Sequence, residues 1–340
     1  MKKNLVIINN EKCSIKNGEI FCENIEIKSL NQNLKSKYDV KFLLREGNTA
    51  PVYKIEKSNT KISANIFSFT KNLFTSAIKD RSEYLIISVT PYTFYSFLIL
   101  LLFRKKIFLY LRSDGKKEIS LIFGKSLSFL YKIIENFMSK FSNLIVVNKL
   151  ISKKEKYFLV NPSQIDKEWL TNSKIAKENS EIKLLYVGRF KIEKGIYSLI
   201  NLFKKVSIDN KNISLTLVGQ GNRPKVEDDR IKFLHPISDK KKLIEEYDRH
   251  KILILPSYTE GHPQVLLESL VRQRPVIVFQ EIKHVVENYQ GVFVCERDYE
   301  QLTKTINYID RNYEDILKGM STNSYPTKES FFGQLSKILG

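Results

Sequence analysis

The sequence is poor in the residues that staple or anchor a chain. Its 340 residues include only three cysteines, Cys13, Cys22 and Cys295, an odd number at no metal-ligand spacing. A disulfide framework or a cysteine-held zinc is therefore not expected, and reduced thiols in a cytoplasmic protein fit best. Long hydrophobic runs are missing too. The longest, Pro91–Phe103, stops at Arg104-Lys105-Lys106, short of the ~20 residues that cross a bilayer, and reads as a buried helix. The opening MKKNLVIINNEKC carries two lysines but too short an apolar run for a signal peptide. Internal repeats, heptads and low-complexity tracts are absent. No G-x-G-x-x-G occurs, which removes the usual signature of NAD binding, and no Asp-x-Asp offers itself as a metal ligand.

What the chain does have is positive charge, unevenly placed. The net charge is +19. Residues 1–178 hold 31 Lys and Arg against 16 Asp and Glu, whereas residues 179–340 hold 25 against 21. A lysine-rich bias on a solvated surface would load both halves alike; concentration in the first half implies an anionic partner there, a membrane surface, nucleic acid or phosphorylated substrate. No RNP, KH or helix-turn-helix pattern supports nucleic acid. The length suits two domains, and the 42% of hydrophobic residues is enough for two cores.

Short β-rich runs alternate with helical patterns, the mark of parallel βα units. Strands are expected at Leu5–Ile8, Val40–Leu44, Tyr84–Val89, Ile107–Leu111 and Leu144–Val147. Between the last two, Phe123, Leu127, Leu130, Tyr131, Ile134, Phe137, Met138 and Phe141 share one helical face, which reads as core, with a membrane-facing surface as the alternative. The sequence turns polar from Pro162 to Ser180, where a domain boundary is expected, giving domains at 1–176 and 181–325. The second set comprises strands Lys183–Val187, Ser214–Val218, Ile231–Leu234, Ile252–Leu255, Pro275–Phe279 and Val292–Val294. Helices Gly195–Val206, Asp239–Tyr247, Pro263–Arg272 and Tyr299–Ile309 lie among them, and a terminal helix from Lys328 is placed against the first domain. The fold class is α/β, two Rossmann-like doubly wound domains facing a cleft at the carboxyl ends of their strands.

The most informative stretch is Ile252-Leu253-Ile254-Leu255-Pro256-Ser257-Tyr258-Thr259-Glu260-Gly261-His262-Pro263-Gln264-Val265-Leu266-Leu267-Glu268. It describes a buried strand, a turn and a helix opening near Pro263. Unpaired amides at such a helix start favour an anion, and Gly261 lets the main chain come close to a ligand. Glu260 sits in the turn; Glu268 lies about one and a half turns along, leaning back toward the helix start. Two carboxylates flanking an anion-binding helix start suit a ligand with hydroxyls at both ends and phosphates between, such as a nucleotide sugar.

This stretch resembles the signature of the retaining glycosyltransferases of GT-B architecture, family 4, in which two glutamates are separated by seven intervening residues after a strand reading like "ILPS". The resemblance implies that Glu260 contacts the donor sugar, that Glu268 binds the ribose diol, and that amides around Gly261, His262, Pro263 and Gln264 touch sugar and diphosphate. Val187-Gly188-Arg189-Phe190-Lys191-Ile192-Glu193-Lys194-Gly195 is similar to the family's "VGR…KG" element, which makes Arg189 and Lys194 the expected diphosphate ligands, with Lys191 a competitor. Gly219 and Gly221, with His235-Pro236 after the next strand, resemble positions lining the base pocket; the glycines serve equally as turn residues.

The first half departs from the family. All four histidines (His235, His250, His262, His284) lie in the second half, so the family's histidine near the reacting carbon is missing. At the corresponding strand end stand Arg112 and Asp114, acceptor-side candidates, although Asp114-Gly115 is also a plain turn. The family's glycine-rich loop after the first strand is missing too, with Lys16-Asn17-Gly18-Glu19 a possible stand-in. The function implied is a retaining hexosyltransferase working without a metal or cofactor. Its co-substrate is a UDP- or GDP-linked sugar and its acceptor a saccharide, lipid-linked, in cell-surface polysaccharide or glycan biosynthesis. Such a chain is peripheral on the inner face of the membrane, with the aromatic stretch Phe67–Phe74 suited to docking on anionic lipid. The competing readings are an epimerase or phosphorylase of the same fold, an inactive relative serving as a membrane scaffold, and a basic nucleic-acid-binding protein.

Overall fold

The computed structural model describes residues 2–49, 52–79, 82–152, 155–171, 181–209, 212–286 and 289–340. Its contacts divide the chain into two units, Met1–Pro162 with Glu329–Gly340, and Ser163–Lys328.

The first unit has, among the described residues, nine strands: β1 (Lys3–Lys16), β2 (Glu19–Cys22), β3 (Tyr38–Glu46), β4 (Tyr53–Ile55), β5 (Thr60–Ser63), β6 (Glu83–Ile87), β7 (Ile107–Leu111), β8 (Asn143–Val146) and β9 (Phe158–Leu159). The parallel part runs β5-β3-β1-β6-β7-β8-β9. Leu5 to Ile8, flanked by β3 and β6, are fully buried. Beyond them β1 continues to Lys16, pairs antiparallel with β2, and β2 pairs with β4. The strand is therefore much longer than its apolar run. Asn17 and Gly18 both take left-handed backbone (φ 51 and 74), as a two-residue hairpin turn with right-handed strand twist requires. Lys16-Asn17-Gly18-Glu19 is thus a hairpin tip; it is not a loop leading from a parallel strand into a helix, and it cannot stand in for the family's glycine-rich loop. The helix Lys328–Leu339 buries Phe331, Phe332, Leu335 and Leu339 in this core, and Tyr38 Oη donates to the Ser336 carbonyl at 3.2 Å.

Two expectations fail here. The long helix is broken at Gly124 (φ 89) into Gly115–Phe123 and Lys125–Lys140. Of its supposed core stripe Met138 is buried, and Tyr131 and Ile134 are partly so, while Phe123, Leu127, Leu130, Phe137 and Phe141 are exposed. The inward seats belong instead to Ser128, Glu135 and Ser139, held by polar contacts: Ser128 Oγ donates to the Lys116 carbonyl at 3.0 Å and Lys132 pairs with Glu135. The Phe67–Phe74 stretch is likewise no docking patch, because Phe69 and Leu73 are core and Phe74 packs edge-on against Phe103 at 5.6 Å; Phe67 alone of the four is exposed. Pro91–Leu102 is a helix begun by a Thr90 capping box. Among the described residues no helix is long and apolar enough to cross a membrane.

The second unit is a six-stranded, wholly parallel sheet: β10 (Ile182–Val187), β11 (Ile213–Val218), β12 (Ile231–Leu234), β13 (Ile252–Leu255), β14 (Val276–Phe279) and β15 (Val292–Cys295). Its order, β12-β11-β10-β13-β14-β15, is that of a doubly wound domain. The chain reverses direction across the sheet between β10 and β13, and the crevice at such a switch point is where ligands of this fold bind. Helix Ile196–Asp209 lays Ile196, Leu199, Ile200, Phe203 and Val206 into the core. A helix at Tyr313–Met320 was not foreseen. The boundary lies earlier than the polar composition suggested. Ile165 and Trp169 are buried in the second core, Trp169 edge-on to Tyr247 at 5.7 Å, with the Trp169 carbonyl taken by Arg272 Nη1 at 2.8 Å. One tryptophan and one isoleucine outweigh the polar residues around them. The division thus falls at the very start of the Pro162–Ser180 stretch where the sequence placed it, and residues 172–180 of that stretch lie outside the described residues.

Candidate active site

The loops after β10 and β13, neighbours across the switch point, are joined by several contacts. After β10 come Gly188-Arg189-Phe190-Lys191, a 3-10 turn Ile192–Lys194, and Gly195, which opens the helix Ile196–Asp209. Gly195 has φ 69, and a Cβ there would lie 1.9 Å from the Pro256 carbonyl oxygen. Glycine is thus required both by backbone conformation and by the close approach of the second loop. Tyr258 N–H donates to the Glu193 carbonyl at 2.9 Å. Lys194 Nζ donates to Glu260 Oε1 at 2.6 Å, and Ser257 Oγ donates to the same oxygen at 2.6 Å. His284 Nε2 meets the Glu260 carbonyl at 2.9 Å. Glu260 and Lys194 are largely but not fully covered (11% and 21% exposed), so this charge-assisted pair fixes both side chains yet leaves them reachable.

The helix Gln264–Val271 begins at Pro263 with no side-chain cap, so its first amides are not taken by a capping side chain. Gly261 and Pro263 are buried; His262 and Gln264 are half-buried, and Gln264 Oε1 accepts from Gln164 N–H at 2.9 Å. Farther along the helix, Glu268 Oε2 accepts from Tyr247 Oη at 2.8 Å. Burial pushes the Glu268 carboxyl up to about 7, against the pull of the Tyr247 hydrogen bond. Glu268 is thereby held at the edge of ionisation near neutral pH by its burial.

Arg189 is exposed, its carbonyl accepting from Tyr186 Oη at 2.7 Å. Lys191 is exposed as well, its Nζ 4.0 Å from Glu193 Oε1. Gly219 and Gly221 have a structural reason. Phe190 N–H donates to the Gln220 carbonyl at 2.7 Å, and a Cβ on Gly219 would lie 1.8 Å from the Gly188 carbonyl oxygen. A Cβ on Gly221 would lie 2.5 Å from the Phe190 carbonyl oxygen. Both glycines let the turn after β11 lie against the loop that carries Arg189. His235, after β12, is exposed.

Sequence reasoning missed Arg297, just after β15. Its guanidinium stacks on Tyr258 at 4.1 Å and on Phe279 at 4.4 Å. It donates to the Pro256 carbonyl at 2.9 Å, to Glu281 Oε1 at 2.7 Å and to Ser198 Oγ at 3.3 Å. One side chain thereby ties the turn after β13 to the helix after β10. Glu296-Arg297-Asp298 reads in sequence as an ordinary polar run, and nothing in it marks this residue.

In the first unit, Arg112 follows β7 and its Nη1 donates to Glu26 Oε2 at 2.6 Å. Asp114 caps the helix Gly115–Phe123, its Oδ1 accepting from Lys117 N–H at 3.1 Å. Among the described residues no group of three or more His, Cys, Asp or Glu is placed to hold a metal ion.

Residues 168–325, within the second unit, match the model of Glycosyl transferases group 1. The chain is 25% identical to an uncharacterized glycosyltransferase of Haemophilus influenzae over 91% of this chain and 92% of that protein. It is 24% identical to the capsular polysaccharide biosynthesis glycosyltransferase CapM of Staphylococcus aureus over 62% of this chain and 57% of the relative. Among solved structures, Alr3699/HepE of Anabaena in complex with UDP and glucose superposes with a TM-score of 0.71 at 14% identity, covering 99% of each chain. The fold is that of the GT-B glycosyltransferases, with two Rossmann-like domains.

Proposed function

We propose that this glycosyltransferase moves a hexosyl group, with retention, from a UDP- or GDP-linked donor held by the second unit to a lipid-linked saccharide acceptor in surface polysaccharide assembly. The observation that carries the reading is the Lys194–Glu260 pair across the switch point, next to an uncapped helix start and followed by Glu268. In this reading Glu268, when ionised, accepts from the ribose hydroxyls and Glu260 orients the sugar. As the bond from the anomeric carbon to the diphosphate oxygen breaks, the electron pair leaves with the diphosphate. Arg189, Lys194 and the amides before Val265 stabilise that developing charge, so no metal is called on. Gly219 and Gly221 border the base, while Arg112 and Asp114 are the first unit's candidates for the acceptor. The UDP and glucose bound to Alr3699/HepE support the donor class, and the capsular role in CapM's name supports the acceptor class. The chain works as a peripheral protein on the cytoplasmic face of the membrane.

A thermal-shift screen of nucleotide sugars tests the donor. Ligand at 100 times its dissociation constant adds about 2.7 kcal/mol of stability. Arg189→Ala and Glu268→Gln are expected to weaken the donor that binds by roughly ten- to a hundredfold, since one charge-assisted contact is worth about 1.5–3 kcal/mol. Unchanged affinity in both variants would refute the donor assignment, and an inverted product linkage or inactivation by EDTA would refute the mechanism.

A further inference from the structure

The helix pair Gly115–Phe123 and Lys125–Lys140 packs on the core through Met138, Tyr131 and Ile134 together with buried polar residues, and leaves a second apolar face outside. Ser128, Glu135 and Ser139 face the interior, while Phe123, Leu127, Phe129, Leu130, Ile133 and Phe141 stand about half exposed or more, Phe129 at 69%. Six large apolar side chains on one short stretch are more than the scattered exposure an ordinary surface shows. Cations rim them: Lys116, Lys125 and Lys140 are exposed, and Lys140 Nζ lies 5.6 Å from the centre of the Phe141 ring. The acids of these helices are withdrawn, Glu135 buried against Lys132 and Glu118 half-buried, so no acid on either helix is exposed among the described residues.

We propose that this face is the chain's membrane-docking surface, seating its apolar residues among the acyl chains of an anionic bilayer with the lysines at the headgroups. The chemistry selects the occupant. Apolar side chains flanked by cations match the interface of an anionic bilayer, where lysine stems also bury readily. A second copy of the chain in a two-fold contact would set the same lysine rim against itself. Nucleic acid would satisfy the lysines and leave the apolar residues in water. The surface rests on the membrane-linked acceptor reading for its purpose only, because vesicle binding needs neither sugar nor nucleotide.

Full-length protein is sedimented with vesicles of phosphatidylcholine, with and without phosphatidylglycerol. It is expected to pellet with the anionic vesicles and to be released as salt rises, since screening weakens the lysine contacts. The double variant Phe129→Ser/Leu130→Ser is expected to lose roughly tenfold or more in vesicle affinity, two large apolar groups being withheld from the bilayer. Both positions are exposed, so folding is not at stake, and thermal stabilisation by whichever of UDP and GDP stabilises the parent is expected to be as large as in the parent. Phe67→Ser, 83% exposed on a different helix, is expected to bind like the parent. Three results would overturn the proposal: equal vesicle binding by the double variant, equal pelleting with pure phosphatidylcholine, or a parent dimer in sedimentation velocity that the double variant abolishes. A parent that ignores vesicles yet gains stability with UDP would sink this surface and leave the donor assignment standing.

Discussion

Helices Ile196–Asp209 and Lys125–Lys140 are of similar length and carry apolar residues at similar spacing, yet they are turned opposite ways. In the first, Ile196, Leu199, Ile200, Phe203 and Val206 are each at most 3% exposed, packed on a sheet of apolar strands. In the second, Met138 is buried with Tyr131 and Ile134 packed beside it, but most of the other apolar residues look outward and hydrogen-bonded polar side chains share the inner face. Ser128 is tied to the Lys116 carbonyl, Glu135 to Lys132, and Tyr131 fills the space over Gly115, where a Cβ would lie 1.9 Å from its hydroxyl. An apolar stripe therefore states that a helix has a face to bury. What covers that face is decided by the neighbour, and here the neighbouring helix offers carbonyls and a glycine.

The most forceful way to break this contrast is to truncate one aromatic on each helix. Phe203→Ala is expected to cost about 3–5 kcal/mol in urea unfolding, the usual price of emptying a phenylalanine site in a core. Phe129→Ala is expected to stay within about 0.5 kcal/mol, as exposed positions do. Similar losses at the two sites would mean that the second helix is packed after all.

A smaller effect separates buried charge from exposed charge. Glu268 titrates near 7 when folded and near 4.5 when unfolded, so the native state holds its proton more tightly. Its cost to stability is absent below about pH 4.5, grows between 4.5 and 7, and is constant above, reaching about 3 kcal/mol at 1.36 kcal/mol per unit. The stability of the parent relative to Glu268→Gln is expected to fall across that window, read by urea titrations at several pH values. Donor affinity is expected to rise over the same range, because the ionised carboxylate is the better acceptor; a flat profile would detach Glu268 from the ribose.

Arg297→Lys refines the picture within the second unit. Lysine keeps the charge but lacks the planar fork that reaches Pro256, Glu281 and Ser198 while stacked on Tyr258 and Phe279. Donor affinity is expected to drop about tenfold, near 1.4 kcal/mol, through a displaced Glu260 turn. Calorimetric titration with UDP reads it, and an unaltered affinity would reduce Arg297 to a surface contact.

The second unit was more legible than the first, for a physical reason. Parallel strands buried on both faces must be continuous apolar runs, and Ile252–Leu255 and Val276–Phe279 are such runs. The strands overlooked in the first unit are short and half-exposed: Glu19–Cys22, Tyr53–Ile55 and Thr60–Ser63 are three or four residues long and each buries only one or two of them. The site was visible where its residues are close in sequence, as Glu260 and Glu268 are. Tyr247 and Arg297 reach it only through the fold, from an adjoining helix and from the end of β15. Trp169 escaped because its partners, Tyr247 and Arg272, stand far along the chain.

That tryptophan has an optical consequence. It is the only one in the chain, and it lies in the second unit, edge-on to the Tyr247 ring whose hydroxyl holds Glu268. Indole emission excited at the red edge therefore comes from the second unit alone, while the seventeen tyrosines are distributed over both. A single cuvette can follow the melting of one half of the molecule against the melting of the whole. Because only one aromatic ring separates the fluorophore from Glu268, the proposed nucleotide loading there is expected to change this emission, with no label to attach.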